Sequence, residues 1–176
     1  MPPFPVNTTR LDPYHNCNFV VMWDGQDVFG CSKFTALTLT TDVVKHSDGG
    51  NPLDQLSPGK HHYAPITLER GLTMDLAFHD WAGLVWNYGA AFGAQASLAN
   101  FRKNLYLKFY NEAGQLVIAY KIYRCWVSEY QALPDLDSNA NAIAIEHIKL
   151  ENEGWERDTS VAEPQEPTLP PTTVVT

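Results

Sequence analysis

Apolar and polar residues alternate along much of this chain, which is the period of a β-strand. In NCNFVVMW (16–23) every second residue from Cys17 to Trp23 faces the same side. Asp24-Gly25 follows, and this pair favours a tight turn into VFGCS (28–32), so the pattern predicts a hairpin. Further strands are predicted at 34–44, 62–71, 104–111, 116–133 and about 142–155.

One segment, about 74–88, has the period of an α-helix instead. Thr73 or Asp75 can cap its beginning, and Gly89 ends it. Its apolar residues recur on one helical face, at Phe78, Trp81, Ala82 and Val85. We therefore predict a mainly β protein, a β-sandwich or partly open antiparallel barrel with one flanking α-helix.

Two segments have neither period. The stretch at about 45–62 contains three glycines and two prolines, and we interpret it as a long loop. A loop of this length in a compact domain is usually functional or ordered by a partner. Residues 158–176 contain four prolines and no apolar period. We therefore predict one domain, 1–157, followed by a Pro/Thr-rich tail, 158–176.

The charge and the cysteines exclude several classes of function. A chain of 176 residues with a formal net charge of −8 lacks the basic footprint of stable nucleic-acid binding. Its three cysteines, Cys17, Cys31 and Cys125, form no CxxC pair, so a zinc ribbon is not indicated. Neither a secretory signal nor an apolar run of membrane-spanning length is present, so we expect cytoplasmic synthesis and no membrane insertion by the monomer.

One motif, DLDSNANAIAIE (135–146), has the ligand spacing of a calcium loop. Its candidate ligands are Asp135, Asp137, Asn139 and Glu146. Two features argue against calcium: Ala140 stands where the loop needs glycine, and strands rather than helices flank the segment. The favoured interpretation is an Asx-rich turn before the last strand.

Two alternative functions remain open at this point. A small β-sandwich module could bind carbohydrate or calcium through exposed tryptophans and the 135–146 carboxylates. A hydrolase could use Cys125 as nucleophile with His147, although Cys125 lies in the middle of a predicted strand, where a core position is the default. GAAFG (89–93) lacks the phosphate-loop pattern, and we predict no cofactor.

The chain resembles the tail tube proteins of contractile phage tails and contractile injection systems, the tail-tube/Hcp-like fold. ITLERG (66–71) followed by a capped helix, and the late LDSNANAIAIE with NEGW, are specific to that resemblance. The other matching strings are DPYHNCNFVV (12–21), WDG (23–25), FGCSKFTALT (29–38), VVKHSDGGNP (43–52), LSPGKHHYAP (56–65) and FHDWAGLVW (78–86). The chain departs from the family pattern at LSPG, at Cys17 and Cys31, and in the tail after Arg157.

The resemblance implies a structural, non-enzymatic subunit. Six copies would form a ring, rings would stack into a hollow tube with effector or DNA cargo in its lumen, and a contracting sheath would drive the tube through a target envelope. The implied partners are other copies, a sheath protein, baseplate or hub proteins and tube-terminating proteins, in a particle that is released or membrane-anchored. The candidate contacts between subunits and rings are His46, Asp48, Gly49, Gly50, Asn51, Pro52, Pro58, Gly59, Lys60, Glu69 and Arg70.

Overall fold

The computed structural model describes residues 14–15, 18–28, 30–47, 54–89, 101–137, 139 and 142–164. Within them lie ten strands and one helix. The strands are β1 Phe19–Trp23, β2 Gln26–Val28, β3 Cys31–Phe34, β4 Leu39–His46, β5 Gln55–Tyr63, β6 Ile66–Gly71, β7 Lys103–Tyr110, β8 Leu116–Gln131, β9 Ile145–Glu151 and β10 Gly154–Arg157. The helix is α1, Ala77–Gly89. No helix among the described residues is long and apolar enough to cross a membrane.

The predicted first hairpin is confirmed, but it is shorter than expected. Trp23 pairs with Gln26 across a two-residue turn in which Asp24 and Gly25 both have positive φ, 52° and 77°. Such a turn matches the right-handed twist of the two strands. Gly30 also has a positive φ, 78°, which redirects the chain after β2. The segment predicted as one strand at 28–32 is therefore divided, and β3 joins a different sheet.

The fold is a pair of antiparallel sheets that share one strand, which confirms the predicted fold class. The first sheet has the order β2-β1-β7-β8, with β10 on the other edge of β8. The second sheet has the order β8-β9-β6-β3. Because β8 is 16 residues long, its first part pairs with β7 and its last part, from Trp126, pairs with β9.

The shared strand bends at Arg124, whose φ is 52°. A side chain stabilises this bend, because the Arg124 N–H donates to Asn104 Oδ1 at 2.9 Å. The ladder between β7 and β8 shifts register at the same point, as in a β-bulge. A bulge increases the local twist of a strand, which lets one strand serve both layers of a sandwich.

The core lies between the two sheets and beneath the helix. Trp81 of α1 packs on Trp23 at 4.9 Å between ring centroids, and its indole N–H donates to the Phe101 carbonyl at 2.8 Å. Asp75 caps the helix, since its carboxylate accepts from the Ala77 N–H at 3.0 Å. The fully buried side chains include Val21, Ile66, Leu68, Phe78, Leu105, Ile122, Ile148 and Leu150.

Three predicted boundaries are wrong. The loop expected at about 45–62 contains a strand, because Gln55–Tyr63 forms β5 and pairs with β4. The single strand expected at 34–44 is interrupted between β3 and β4. The last strand, expected at about 142–155, begins at Ile145 and is divided at residues 152–153, where the chain passes from the β9 position to the β10 position along the same edge of β8.

Candidate functional site

The β4–β5 hairpin forms a sheet of its own. Its two strands pair with each other and with no third strand among the described elements. Three of its large apolar side chains are more than half exposed: Val43 at 61%, Val44 at 52% and Leu56 at 66%. A monomeric protein normally covers such side chains, so an exposed apolar hairpin indicates an interaction surface.

A bulge in the hairpin explains why a strand there contains proline and glycine. Thr41 pairs with His61 and Val43 pairs with Pro58, so two residues of β5 lie opposite Asp42. One of these two is Gly59, and a Cβ atom there would lie 3.1 Å from the Asp42 carbonyl oxygen. Proline is tolerated in an edge strand or a bulge, where its missing N–H leaves no bond unmade. Pro58 and Gly59 therefore fit a strand that sequence composition alone assigns to a loop.

Side chains connect the two strands across the hairpin. Thr41 Oγ1 lies 2.7 Å from His61 Nδ1, and His62 Nε2 lies 3.0 Å from Asp42 Oδ2. Because adjacent strand residues point to opposite faces, the two histidines make these contacts on different faces of the hairpin. Each face therefore carries its own polar pair beside the apolar side chains.

The structure separates the predicted contact residues into four groups. His46, Pro58, Gly59 and Lys60 lie on the hairpin. Asp48, Gly49, Gly50, Asn51 and Pro52 lie outside the described residues. Glu69 lies on the outer side of β6 and bonds Lys33 Nζ at 2.7 Å.

Arg70 differs from the other candidate residues, because its side chain is buried with 1% exposure. Its Nε donates to Glu146 Oε1 at 2.5 Å and its Nη1 to Asp75 Oδ2 at 2.7 Å. Nη2 donates to the Asp75 carbonyl at 2.6 Å, and the guanidinium stacks 4.1 Å from the Phe78 ring. The Arg70 side chain therefore fixes the chain that precedes α1, and it is not presented to a neighbour as expected from the sequence.

The electrostatics of this network favour the charged forms of Arg70 and Asp75. Burial alone would lower the pKa of Arg70, but hydrogen bonds to Glu146 and Asp75 raise it above its usual value. The Ala77 N–H and then Arg70 lower the pKa of Asp75. Burial, and then the neighbouring Glu146 charge, raise the pKa of Tyr130, whose hydroxyl donates to Glu146 Oε2 at 3.2 Å.

This network also engages one residue of the predicted calcium motif. Glu146, the expected bidentate ligand, is 4% exposed and its two oxygens are held by Arg70 and Tyr130. Asp137 Oδ1 accepts from the Asn139 N–H at 2.9 Å, which is the Asx turn favoured from the sequence. Within the described ranges no three His, Cys, Asp or Glu side chains come together in a metal-binding group. Asp137 and Asn139 therefore form a turn, and Glu146 is a core anchor.

The proposed thiol site is not assembled either. Cys125 pairs with Lys103 in the centre of β8, whereas His147 pairs with Gln131. Six residues of strand separate these positions, a distance of about 20 Å. Burial raises the pKa of the Cys125 thiol to about 12, so the thiolate nucleophile does not form near neutral pH.

Sequence reasoning missed a second set of exposed apolar side chains. They lie in the segment before α1, on α1, in the connection from β8 to β9 and at the first residue of β9. They are Leu72, Met74, Leu76, Leu84, Trp86, Leu133, Leu136, Ile143 and Ile145. A signal was available in LTMDL (72–76), whose apolar residues alternate as in a strand although the described structure has no strand there.

The model of the T4-like virus tail tube protein gp19 family matches residues 15–156. The chain belongs to this family. The match includes the β4–β5 hairpin and all ten strands but for the last residue of β10. The resemblance to tail tube proteins inferred from the sequence is thereby confirmed. No curated protein matches the chain significantly.

Solved structures show the same fold at low sequence identity. A chain from the anti-feeding prophage (AFP) tube terminating cap has a TM-score of 0.70 at 20% identity, covering 87% of this chain and 95% of that chain. A chain from the AFP baseplate has a TM-score of 0.69 at 18% identity, covering 83% and 95%. A chain from the sheath-tube complex of PVC, an extracellular contractile injection system, has a TM-score of 0.67 at 19% identity, covering 83% and 91%.

Proposed function

We propose that this tail tube family member is a structural subunit of the inner tube of a contractile injection system or contractile phage tail. Six copies close into a ring, and rings stack into a rigid hollow tube. The observation that carries the proposal is the family match over residues 15–156. The exposed β4–β5 hairpin supports it, because a projecting apolar element needs a neighbouring surface.

The geometry of one subunit suits head-to-tail assembly. A contact between the hairpin and a different surface of the next copy is heterologous and repeats from copy to copy. Repetition of such a contact closes a ring when the rotation closes, and it otherwise extends a filament. A tube combines the two outcomes, because the contacts within a ring close and the contacts between stacked rings repeat along the tube. In this proposal residues 1–157 form the subunit and residues 158–176 extend from it.

The proposed partners follow from the same assignment. AFP and PVC chains with this fold occur in structures described as a baseplate, a sheath-tube complex and a tube terminating cap. We infer that this chain likewise meets a sheath around the tube, a baseplate at one end and a terminator at the other. Sheath contraction then drives the tube through a target envelope. Effector or DNA cargo passes through the lumen, and the net charge of −8 disfavours adhesion of an acidic cargo.

The test is electron microscopy of the purified, concentrated protein, with its mass measured by light scattering. We expect six-fold rings with a central hole, and tubes at the highest concentrations. A comparison variant carries Val44→Ser, which removes an exposed apolar side chain from the hairpin and should leave the monomer folded. Its assembly should be weakened relative to the parent chain, while its circular dichroism is unchanged.

A second variant ends at residue 164, which leaves every described contact in place. Unchanged rings with altered stacking would assign residues 165–176 to the contact between rings. A protein that stays monomeric at every concentration, also when added to preformed baseplates of a contractile particle, would contradict the proposed function.

A further inference from the structure

An aromatic groove opens beside the core, between the first sheet and the connection from β3 to β4. It holds a cavity of about 360 Å³ and is lined by the rings of Phe19, Phe34, Phe109, Tyr120 and Trp155. All five side chains are half-buried, because each packs against the core and also borders the groove. Protein interiors are close-packed, and a cavity of this volume is typical of a binding site.

Two walls of the aromatic groove are held by contacts within the chain. On the first wall, Phe19 of β1 pairs with Phe109 of β7, with 6.5 Å between the ring centroids. The second wall is the connection from β3 to β4. There the Thr35 N–H donates to the Thr67 carbonyl at 3.1 Å, and Thr35 Oγ1 accepts from the Thr67 N–H at 2.8 Å. The groove is therefore preorganised, which reduces the entropy lost when an occupant binds.

One polar group beside the groove lacks a partner. The indole N–H of Trp155 is buried, and no acceptor lies within hydrogen-bond distance in the part of the chain that the structure describes. The Trp155 ring contacts Tyr120 edge to face, at 6.0 Å between centroids. A buried donor without an acceptor costs free energy, and native structures rarely leave one unsatisfied. The ring torsion of tryptophan is soft, so a rotation toward an acceptor in the groove costs little.

The chain itself contains a segment with the chemistry to fill this groove. In PQEPTLPP (164–171) a proline recurs at every third residue, at Pro164, Pro167 and Pro170. Prolines at this spacing lie on one face of a polyproline II helix, which has three residues per turn. Such a helix has no internal hydrogen bonds, so its carbonyls are free to accept from a donor such as the Trp155 N–H.

We propose that the aromatic groove binds residues 164–171 of the same chain as a polyproline II helix. Proline-rich segments dock on aromatic-lined grooves in this conformation, and they lose little entropy because the helix is preformed. The tail then covers the half-buried rings and supplies an acceptor for the Trp155 N–H. The inference concerns a single subunit and does not depend on the proposed tube.

The position at which the described tail ends favours the same chain. The Tyr14 hydroxyl donates to Glu163 Oε1 at 3.3 Å, so Glu163 lies beside the segment that leads into β1. Phe19, which lines the groove, is at most about 17 Å of extended chain from Tyr14. Residues 165–171 span about 22 Å as a polyproline II helix. The tail is therefore long enough to reach the groove of its own chain.

Charge favours this tail over the proline-containing N-terminal segment. Arg157 of β10 pairs with Tyr120 of β8, so their side chains project from the same face of the sheet. Arg157 is exposed and makes no ion pair with the described residues. The tail supplies an opposite charge at Glu166, whereas the first charged side chain of MPPFPVNTTR is Arg10. Opposite charges orient an association, so Arg157 selects the acidic segment.

Peptide binding to a chain that ends at residue 164 tests the groove directly. The probe is a fluorescein-labelled peptide of residues 163–176, and binding is measured by fluorescence anisotropy. Light scattering first verifies that the shortened and full chains are in the same assembly state. We expect saturable binding to the shortened chain. Binding to the full chain should be at least about tenfold weaker, because its own tail competes at a high effective concentration.

Variants of the shortened chain test which side chains bind the peptide. Trp155→Phe keeps an aromatic ring and removes the donor, so it should weaken binding by a factor on the order of three to ten. The matched control, Trp86→Phe, changes an exposed tryptophan of α1 and should leave binding unchanged. Arg157→Gln should weaken binding to the parent peptide but not to a Glu166→Gln peptide. Circular dichroism verifies that each variant is folded.

The peptide sequence tests the polyproline II register. Pro167→Ala with Pro170→Ala should weaken binding strongly, whereas Pro171→Ala, which lies off the three-residue face, should have a small effect. Equal losses for the two peptides would overturn the register. A peptide of residues 1–13 that binds more tightly than the tail peptide would assign the groove to the N-terminal segment and overturn the proposal. Absence of binding by the tail peptide would also overturn it.

Photo-crosslinking of the full chain distinguishes the same chain from a second copy. Benzoylphenylalanine replaces Leu169, and the chain is mixed with an isotopically labelled copy before irradiation and mass spectrometry. We expect crosslinks within one chain, to peptides containing residues 34–37 or 155–157. The control places the same group at Thr173, beyond the prolines, and should label these peptides less. Crosslinks only between copies, or only to other segments, would overturn the proposal whether or not rings assemble.

Discussion

Strand β8 and the β4–β5 hairpin are built from similar residues and have opposite surroundings. In β8, Ile122 is buried because Leu105 of β7 and Trp155 of β10 pair with it on both edges and its side chain lies in the hydrophobic core. In the hairpin, Val43 and Val44 are exposed, because β4 and β5 have no third strand or covering layer among the described residues. β-branched residues therefore indicate a strand, but they do not indicate whether its cover comes from the same chain.

The two regions also differ in how their polar groups are used. The body of the subunit, meaning the two main sheets and α1, buries Arg70 and Glu146. The polar atoms of these two side chains bond to each other and to neighbouring residues. The hairpin keeps its polar pairs, such as His62 with Asp42, exposed on its faces. We therefore expect substitutions in the body to change the free energy of unfolding. Substitutions in the hairpin should instead change its local order and the assembly of copies.

The largest predicted effect is in the body, at Arg70→Met. The change leaves the Glu146 carboxylate buried without its partner, which should cost about 3–5 kcal/mol of unfolding free energy. Urea unfolding of the monomer measures this loss. The control, Lys33→Met, breaks the exposed pair with Glu69 and should cost less than about 1 kcal/mol.

The double variant Arg70→Met with Glu146→Leu sharpens the same comparison. Replacing both members of a buried ion pair by apolar residues is often neutral or stabilising, so most of the loss should be recovered. A double variant as unstable as Arg70→Met would show that the Asp75 and Tyr130 contacts, rather than the buried charge, set the cost.

An intermediate effect is predicted in the hairpin, at Gly59→Ala. The new Cβ would lie 3.1 Å from the Asp42 carbonyl oxygen and from a Val44 methyl group, so the bulge must open. Amide hydrogen exchange of β4 should become faster by about tenfold while the global unfolding free energy changes little. The control, Gly71→Ala in β6, meets no atom within 4 Å and should leave β4 exchange unchanged. Equal exchange in the two variants would contradict the tight bulge.

The smallest effect is predicted at Asp158, just after β10. Hydrogen bonds from Ser160, and then the Lys121 ammonium, lower the pKa of this carboxyl from 3.8 to about 2. The stability it contributes is therefore present above its unfolded pKa of 3.8 and is lost as the pH falls toward about 2. Asp158→Asn should flatten the decline in melting temperature within this window. The control, Asp135→Asn, removes an exposed carboxylate in the connection between β8 and β9 and should follow the profile of the parent chain. Identical profiles for the parent chain and both variants would refute the assignment.

Local chemistry made several elements predictable. Asp24-Gly25 specifies the first turn because these residues accept positive φ, and Asp75 specifies the helix start because its carboxylate satisfies a free N–H. The apolar period of 78–85 identifies the buried face of α1. The long β7–β8 hairpin was predicted because both strands alternate over many residues around one polar turn.

Other features depend on groups that are distant in the sequence. Pro58 and Gly59 indicate a loop when considered alone, and they form a strand because a bulge opposite Asp42 accommodates them. Glu146 has a calcium-ligand spacing, and it is a core anchor because Arg70, 76 residues away, reaches it. Neither outcome is encoded in the local pattern.

By itself the sequence determined the strand-rich class, the single helix, the first turn and the resemblance to tail tube proteins, because each of these depends on neighbouring residues or on short strings. Only the tertiary structure decided that β8 serves two sheets, that Arg70 is internal, and that the β4–β5 hairpin has no third strand among the described residues. These properties depend on pairing and packing between residues that are far apart in the chain.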